Sequence, residues 1–155
     1  MKISIFTTMT NPDERMDPWK EALNCYEDFA DEVVITGQDW PDKFVWDHIG
    51  KTFQEGLDKS SGDWCIRMDL DYFFHQDDME YIRNFLLQNS NYPAVAFVKK
   101  QFFTPDRYQL QSKICIAINK KQYPNVKLNG GGDLCFPTLN NKLINVNEVP
   151  LCTKS

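Results

Sequence analysis

The chain has 155 residues, 42% of them hydrophobic and 14% aromatic, which suits one domain with a real core and excludes a disordered segment. A net charge of −5 with no clustered basic face argues against a nucleic-acid partner. Five cysteines without a Cys-X-X-Cys pair read as reduced, mostly buried thiols of a cytoplasmic protein, and the apolar run Ile3–Phe6 is too short for a signal peptide or an integral membrane segment.

Lys2 to Thr8 alternates into a short strand ending in Thr7-Thr8, and a polar loop through Asn11-Pro12 to Arg15 follows. Asp17-Pro18 has the form of a helix cap with proline at the first helical position, and Trp19, Leu23, Tyr26 and Phe29 recur at helical spacing. The spacing predicts a helix over Pro18 to Ala30. Val33–Thr36 is a continuous apolar run suited to a parallel strand, so the first third reads as a βαβ unit. Gln38-Asp39 lies in the loop at the end of that strand. Asp47 to Lys59 reads as a second helix capped by Asp47, with Ile49, Phe53 and Leu57 on one face.

Trp64 to Met68 is a third strand, with apolar bulk at Trp64, Cys65, Ile66 and Met68. It runs out into Asp69-Leu70-Asp71. In an extended chain these two carboxylates leave on the same side, where they repel unless a cation or a shared proton intervenes. They read either as solvated turn residues or as ligands for Mn²⁺ or Mg²⁺, which takes one or two carboxylates plus substrate phosphates. His75, four residues on, is an extra metal ligand or a cap for a third helix opened by Gln76-Asp77-Asp78. Crossovers must be right-handed, so the strand order expected for residues 1–92 is 2-1-3 or a close relative of it.

After Pro93 the pattern changes. Ala94–Val98, extended by residues 101–103, and Ile114–Ile118 are strands with no helix between them, which predicts an antiparallel or mixed second half. Asn129-Gly130-Gly131-Gly132-Asp133 is a glycine-rich loop, and residues 134–155 show no periodicity.

Ligands of open α/β sheets bind just outside the carboxyl ends of the strands. Thr7, Thr8, Asn11, Arg15, Asp39, Asp69 and Asp71 should therefore converge on one edge. Asp39 there can accept from a base N–H, Arg15 can pair with phosphate or with solvent, Asp69 can reach ribose or metal-bound water, and Asp71 can hold a metal.

Asp69-Leu70-Asp71 at a strand end resembles the Asp-X-Asp motif of nucleotide-sugar glycosyltransferases with the GT-A fold. The opening Ile3–Pro12 with Arg15, then Ala30–Ile35, Gly50, Gly56 and Gly62-Asp63-Trp64 before Met68–Asp71, look like the large inverting family of such enzymes over roughly residues 1–120. The resemblance implies a GT-A-like, Rossmann-like three-layer αβα sandwich with parallel N-terminal strands and a mixed C-terminal part. It implies one domain over 1–155, with residues 1–92 binding nucleotide and 93–155 the acceptor. It implies a metal-dependent transfer, with inversion, from a UDP- or GDP-sugar to a glycan or other hydroxyl acceptor. It also carries metal and nucleotide roles to Asp69 and Asp71 and a base contact to Asp39. The catalytic base of the family has no plain counterpart; Asp133 is the first candidate and Asp106 the second, and either can equally be a turn residue. The competing classes are a binding module of the same fold and another metal-dependent nucleotidyl or phosphoryl transferase.

Overall fold

The computed structural model describes every residue except 41, 42, 44, 130–134 and 155, and of residues 111 and 112 only the backbone. Three strands and three helices alternate through the first half: β1 (Ile3–Thr8), α1 (Trp19–Phe29), β2 (Glu32–Thr36), α2 (Trp46–Lys59), β3 (Trp64–Arg67) and α3 (Met79–Gln88), the last entered through a 3₁₀ turn at Gln76–Asp78. The second half consists of strands: β4 (Ala94–Thr104), β5 (Arg107–Asn119), β6 (Lys127–Leu128), β7 (Pro137–Leu139), β8 (Lys142–Leu143) and β9 (Leu151–Cys152).

The main sheet runs β2-β1-β3-β5-β4-β9. β1 pairs in parallel with both β2 and β3, which is the 2-1-3 order expected. β5 then joins β3 antiparallel and β9 joins β4 parallel, so the sheet is mixed. β6, β7 and β8 form a separate small antiparallel sheet whose strands of two or three residues carry too little pattern to be read in advance.

Alternation on β1 divides the core in two. Ile3 and Ile5, with Trp64 and Ile66 of β3, pack against Ala22, Tyr26 and Phe29 of α1 and Ile82 and Leu86 of α3. Phe6 and Cys65 face the other way, against Phe53 and Leu57 of α2. Each fully buried side chain of this size is worth about 1.5–3 kcal/mol, so packing outweighs the helix caps. Indeed neither expected cap forms: Asp17 pairs with Arg15 at 3.1 Å, and α1 and α2 begin after Pro18 and Val45 with no side-chain cap bond.

At the amino-terminal edge of the parallel strands a polar clasp replaces apolar packing. The Ser4 hydroxyl donates to Glu32, the Ser61 amide donates to the same carboxylate at 2.8 Å, and the Gly62 amide donates to Ser4 Oγ at 2.8 Å. Burial alone would raise the Glu32 pKa, but these hydrogen bonds and Lys2 outweigh it and hold the carboxyl below its usual range. A carboxyl depressed in the folded state contributes stability that is present above its unfolded value, near 4.3, and disappears as pH falls through the lower folded value. Glu32→Gln should therefore shift the urea midpoint downward at neutral pH, and the gap from wild type should close as pH drops below about 4. A gap that does not change with pH would show that the clasp acts by shape alone.

No helix among the described residues is long and apolar enough to cross a membrane. All five cysteines are free, and burial raises the pKa of each, Cys65 and Cys115 to about 12, so they are held as neutral thiols.

Candidate functional site

The carboxyl ends of β1, β2 and β3 share one edge, and backbone bonds tie their loops together. Thr8 pairs with Thr36, and the Met9 amide donates to the Thr36 carbonyl at 2.8 Å. The Thr10 hydroxyl donates to the Gly37 carbonyl at 2.6 Å. Gly37 turns there with φ +91°, a conformation that side chains disfavour. On the other side the Met68 amide donates to the Phe6 carbonyl at 3.1 Å, carrying the pairing of β1 and β3 one residue past Arg67.

The acidic pair lies just beyond, but not in extended chain. The Tyr72 amide donates to the Asp69 carbonyl at 2.8 Å, so Asp69 to Tyr72 is a closed turn with Leu70 buried inside it. The two carboxylates are set by turn geometry rather than by strand alternation, which corrects the shared-side expectation. What closes the turn comes from α1: the Tyr26 hydroxyl lies 2.5 Å from the Asp69 carbonyl oxygen and 2.9 Å from that of Tyr72. Burial first, and then the negative charge of Asp69, push the Tyr26 phenol far above its ordinary value, so it stays a neutral donor.

Arg67, which sequence reasoning passed over, organises the inner side of this turn. It is 3% exposed, and its guanidinium lies 4.9 Å over the Phe53 ring. One Nη donates to the Cys135 carbonyl at 2.8 Å and the other stands 3.7 Å from an Asp69 carboxylate oxygen. Among the described residues its Nε has no hydrogen-bond partner, and neither has the buried Thr7 hydroxyl. Both atoms lie at neighbouring strand ends, Thr7 on β1 and Arg67 on β3.

Asp69 is thus held from two sides, by Arg67 and by a hydrogen bond with the Tyr72 hydroxyl. Asp71 is exposed. Asp71 forms part of the wall of a cavity of about 770 Å³ that runs between the turn and strands β4 and β5. Tyr72, Phe74, Phe97 and Ile116 supply its apolar wall and Lys99 and His75 its polar rim. The Lys99 ammonium lies 4.7 Å over the Tyr72 ring and 3.3 Å from its hydroxyl. Burial, with the nearby Asp69 and Asp71 charges and against Arg67, pushes the Tyr72 phenol up to about 12.

The expected site residues therefore fall into groups. Asp71 and His75 share the cavity wall, and Asp69, outside that wall, faces Arg67. Thr7, Thr8, Asn11, Arg15 and Asp39 do not line that cavity; they belong to the β1 and β2 ends of the edge. Thr7 is buried, and Asn11 turns the chain with φ 44°. Arg15 spends its charge on Asp17, and Asp39 is exposed in the turn after Gly37. His75 Nδ1 accepts from the Asp77 amide at 3.3 Å, which is the capping role. Asp106 accepts from Thr104 at the tip of the β4–β5 hairpin, as a turn residue does. Asp133 lies outside the described residues.

Two carboxylates beside a cavity offer the hard oxygen donors that Mg²⁺ or Mn²⁺ prefers, and a phosphate ligand can complete the shell. Among the described residues no three His, Cys, Asp or Glu side chains converge as a ready-made metal site.

No protein-family model matches the chain, and no curated protein matches it. Among solved structures, the crystal structure of S. aureus TarS 1–349 is similar to it, with a TM-score of 0.45 and 13% sequence identity over 70% of this chain. TarS is a glycosyltransferase, and the chain spans 39% of the length of that TarS chain. A likeness of that size says nothing about the reaction.

Proposed function

We propose that this chain is a GT-A-like glycosyltransferase domain that moves a sugar from a nucleoside diphosphate donor to an acceptor hydroxyl. One observation carries the reading: the acidic turn Asp69–Asp71 stands at the carboxyl edge of a parallel βαβαβ unit, where α/β sheets bind ligands, and opens on a cavity. Helices on both faces of the sheet support the three-layer form of that fold. In this reading residues 1–92 hold the donor and 93–155 supply the acceptor side.

Asp39 would accept from the base, with Thr8 and Asn11 along the nucleoside path. Asp71, helped by Asp69, would hold Mn²⁺ or Mg²⁺, which supplies positive charge against the leaving diphosphate. Arg67 and the Tyr72 hydroxyl keep Asp69 oriented, and the wall of Tyr72, Phe74 and Phe97 keeps water from the reacting centre. Asp133 is the proposed base, taking the proton of the acceptor hydroxyl.

Calorimetry with UDP and GDP, with and without Mn²⁺, tests the reading. Asp71→Asn should weaken manganese-dependent binding by more than the roughly 10–100-fold that even outer-shell partners of a metal are worth. Asp39→Ala should weaken nucleotide binding without metal as well. Equal, small effects from both substitutions would mean that these carboxylates only face solvent. Donor consumption with candidate acceptors then separates a transferase from a binding module.

A further inference from the structure

The β4–β5 hairpin leaves the sheet before it ends. β9 pairs with β4 only at Ala96 and Phe97, and β3 pairs with β5 only at Ala117, Ile118 and Asn119. Beyond them the two strands stay paired with each other to the Thr104–Arg107 turn. From Phe97 to Thr104 at about 3.3 Å per residue, this ribbon reaches on the order of 20 Å past its last supporting strand.

Its outer part is apolar and uncovered. Phe102 is 60% exposed, Phe103 64%, Tyr108 53% and Leu110 61%. Cross-strand pairing sets Phe102 opposite Tyr108, rings 5.4 Å apart, and Lys100 opposite Leu110, so these four side chains share one face. Residues 99–113 hold Lys99, Lys100, Arg107 and Lys113 against the single carboxylate of Asp106, a net +3 in a chain of −5, which leaves −8 for the remainder.

We propose that this ribbon docks the protein on an anionic lipid surface. The chemistry of the two partners is complementary. Aromatic rings settle at the headgroup level, and Phe102, Phe103 and Tyr108 are three exposed ones close to the hairpin turn. Lysine and arginine keep their heads among lipid phosphates while their stems lie on apolar groups; the Lys100 ammonium already sits 5.8 Å over the Tyr108 ring. The −8 remainder is repelled by the same surface, so contact is confined to the ribbon and the body is held clear. Lys100 and Phe102 also line the cavity beside the acidic turn, so a docked ribbon would bring that opening to the lipid boundary. The lipid contact does not depend on the sugar-transfer reading.

Co-sedimentation with vesicles of phosphatidylcholine containing roughly 30% phosphatidylglycerol, against phosphatidylcholine alone, is the test. Wild type should sediment with the anionic vesicles, remain in solution with the neutral ones, and be released as salt rises through the range where screening is strong. The double variants Phe102→Ser/Phe103→Ser and Lys100→Gln/Arg107→Gln should each lose at least about tenfold in partitioning. Their far-UV spectra and melting should be unchanged, because those side chains are exposed. Failure of wild type to bind anionic vesicles at low salt overturns the proposal, as does binding by either variant equal to wild type. Light scattering that shows dimers abolished by the phenylalanine substitutions, without vesicle binding, would assign the ribbon to a second copy of the chain instead.

Discussion

Arg67→Met is expected to lower the unfolding free energy by about 3 kcal/mol, the low end of what removing one partner from a buried ion pair costs. Methionine keeps most of the stem volume against Phe53 but leaves the Cys135 carbonyl without its donor and Asp69 without its cation. The low end applies because Asp69 remains partly hydrated and keeps its Tyr72 partner. For a chain of this length the loss corresponds to a fall in melting temperature of roughly 6–12 °C. Adding Asp69→Asn to the same chain should recover part of the loss, since no uncompensated charge is then left. Thermal melts of wild type, single and double variants decide it: a fall of under about 1 °C for Arg67→Met would show that the guanidinium is held by stacking alone.

Gly62→Ala should be nearly as costly for a reason unrelated to charge. A methyl at this position would stand 2.6 Å from the Ser4 amide nitrogen, 2.6 Å from Ser4 Oγ and 2.8 Å from the Trp64 carbonyl oxygen. Two of these atoms belong to the backbone of paired strands and cannot rotate aside. Relief requires the loop before β3 to move away, which breaks the bond from the Gly62 amide to Ser4 and loosens the Glu32 clasp. Overpacking costs about 1–3 kcal/mol and the lost hydrogen bond about 1 more, so about 3 kcal/mol is expected. The check is the urea midpoint; a shift below a third of that size would mean that the loop yields freely.

The alternation of strands and helices up to α3 was legible because each parallel strand is a short apolar run and each helix carries its own 3.6-residue stripe. The 2-1-3 order is one of the few that right-handed crossovers allow. The acidic turn was less legible. Its residues fit an extended chain as well as a turn, and the choice is made by Tyr26, 43 residues earlier in sequence. Arg67 was missed because arginine is mostly a surface residue. The available signal was its position inside Trp64–Met68, a run buried throughout, where a cation must find a carbonyl, a carboxylate or a ring. The extension of β4 through residues 101–103 was legible, but Arg107 to Lys113 was not read as strand since that stretch is mostly polar, and only its pairing with β4 makes it one.

β1 occupies an inner place in the sheet, bonded to β2 on one side and β3 on the other. The Lys2 amide is already held by the Asp63 carboxylate and the Ile3 amide by Asp31, both at 2.8 Å. The amino-terminal amides from Ile3 to Thr7 should therefore exchange with deuterium among the slowest in the molecule, opening only when the whole sheet does. During synthesis this strand precedes β3 and must wait for residues 64–67 before its second edge is covered, so a nascent chain stalled between the two would expose an unpaired apolar edge to any holding chaperone.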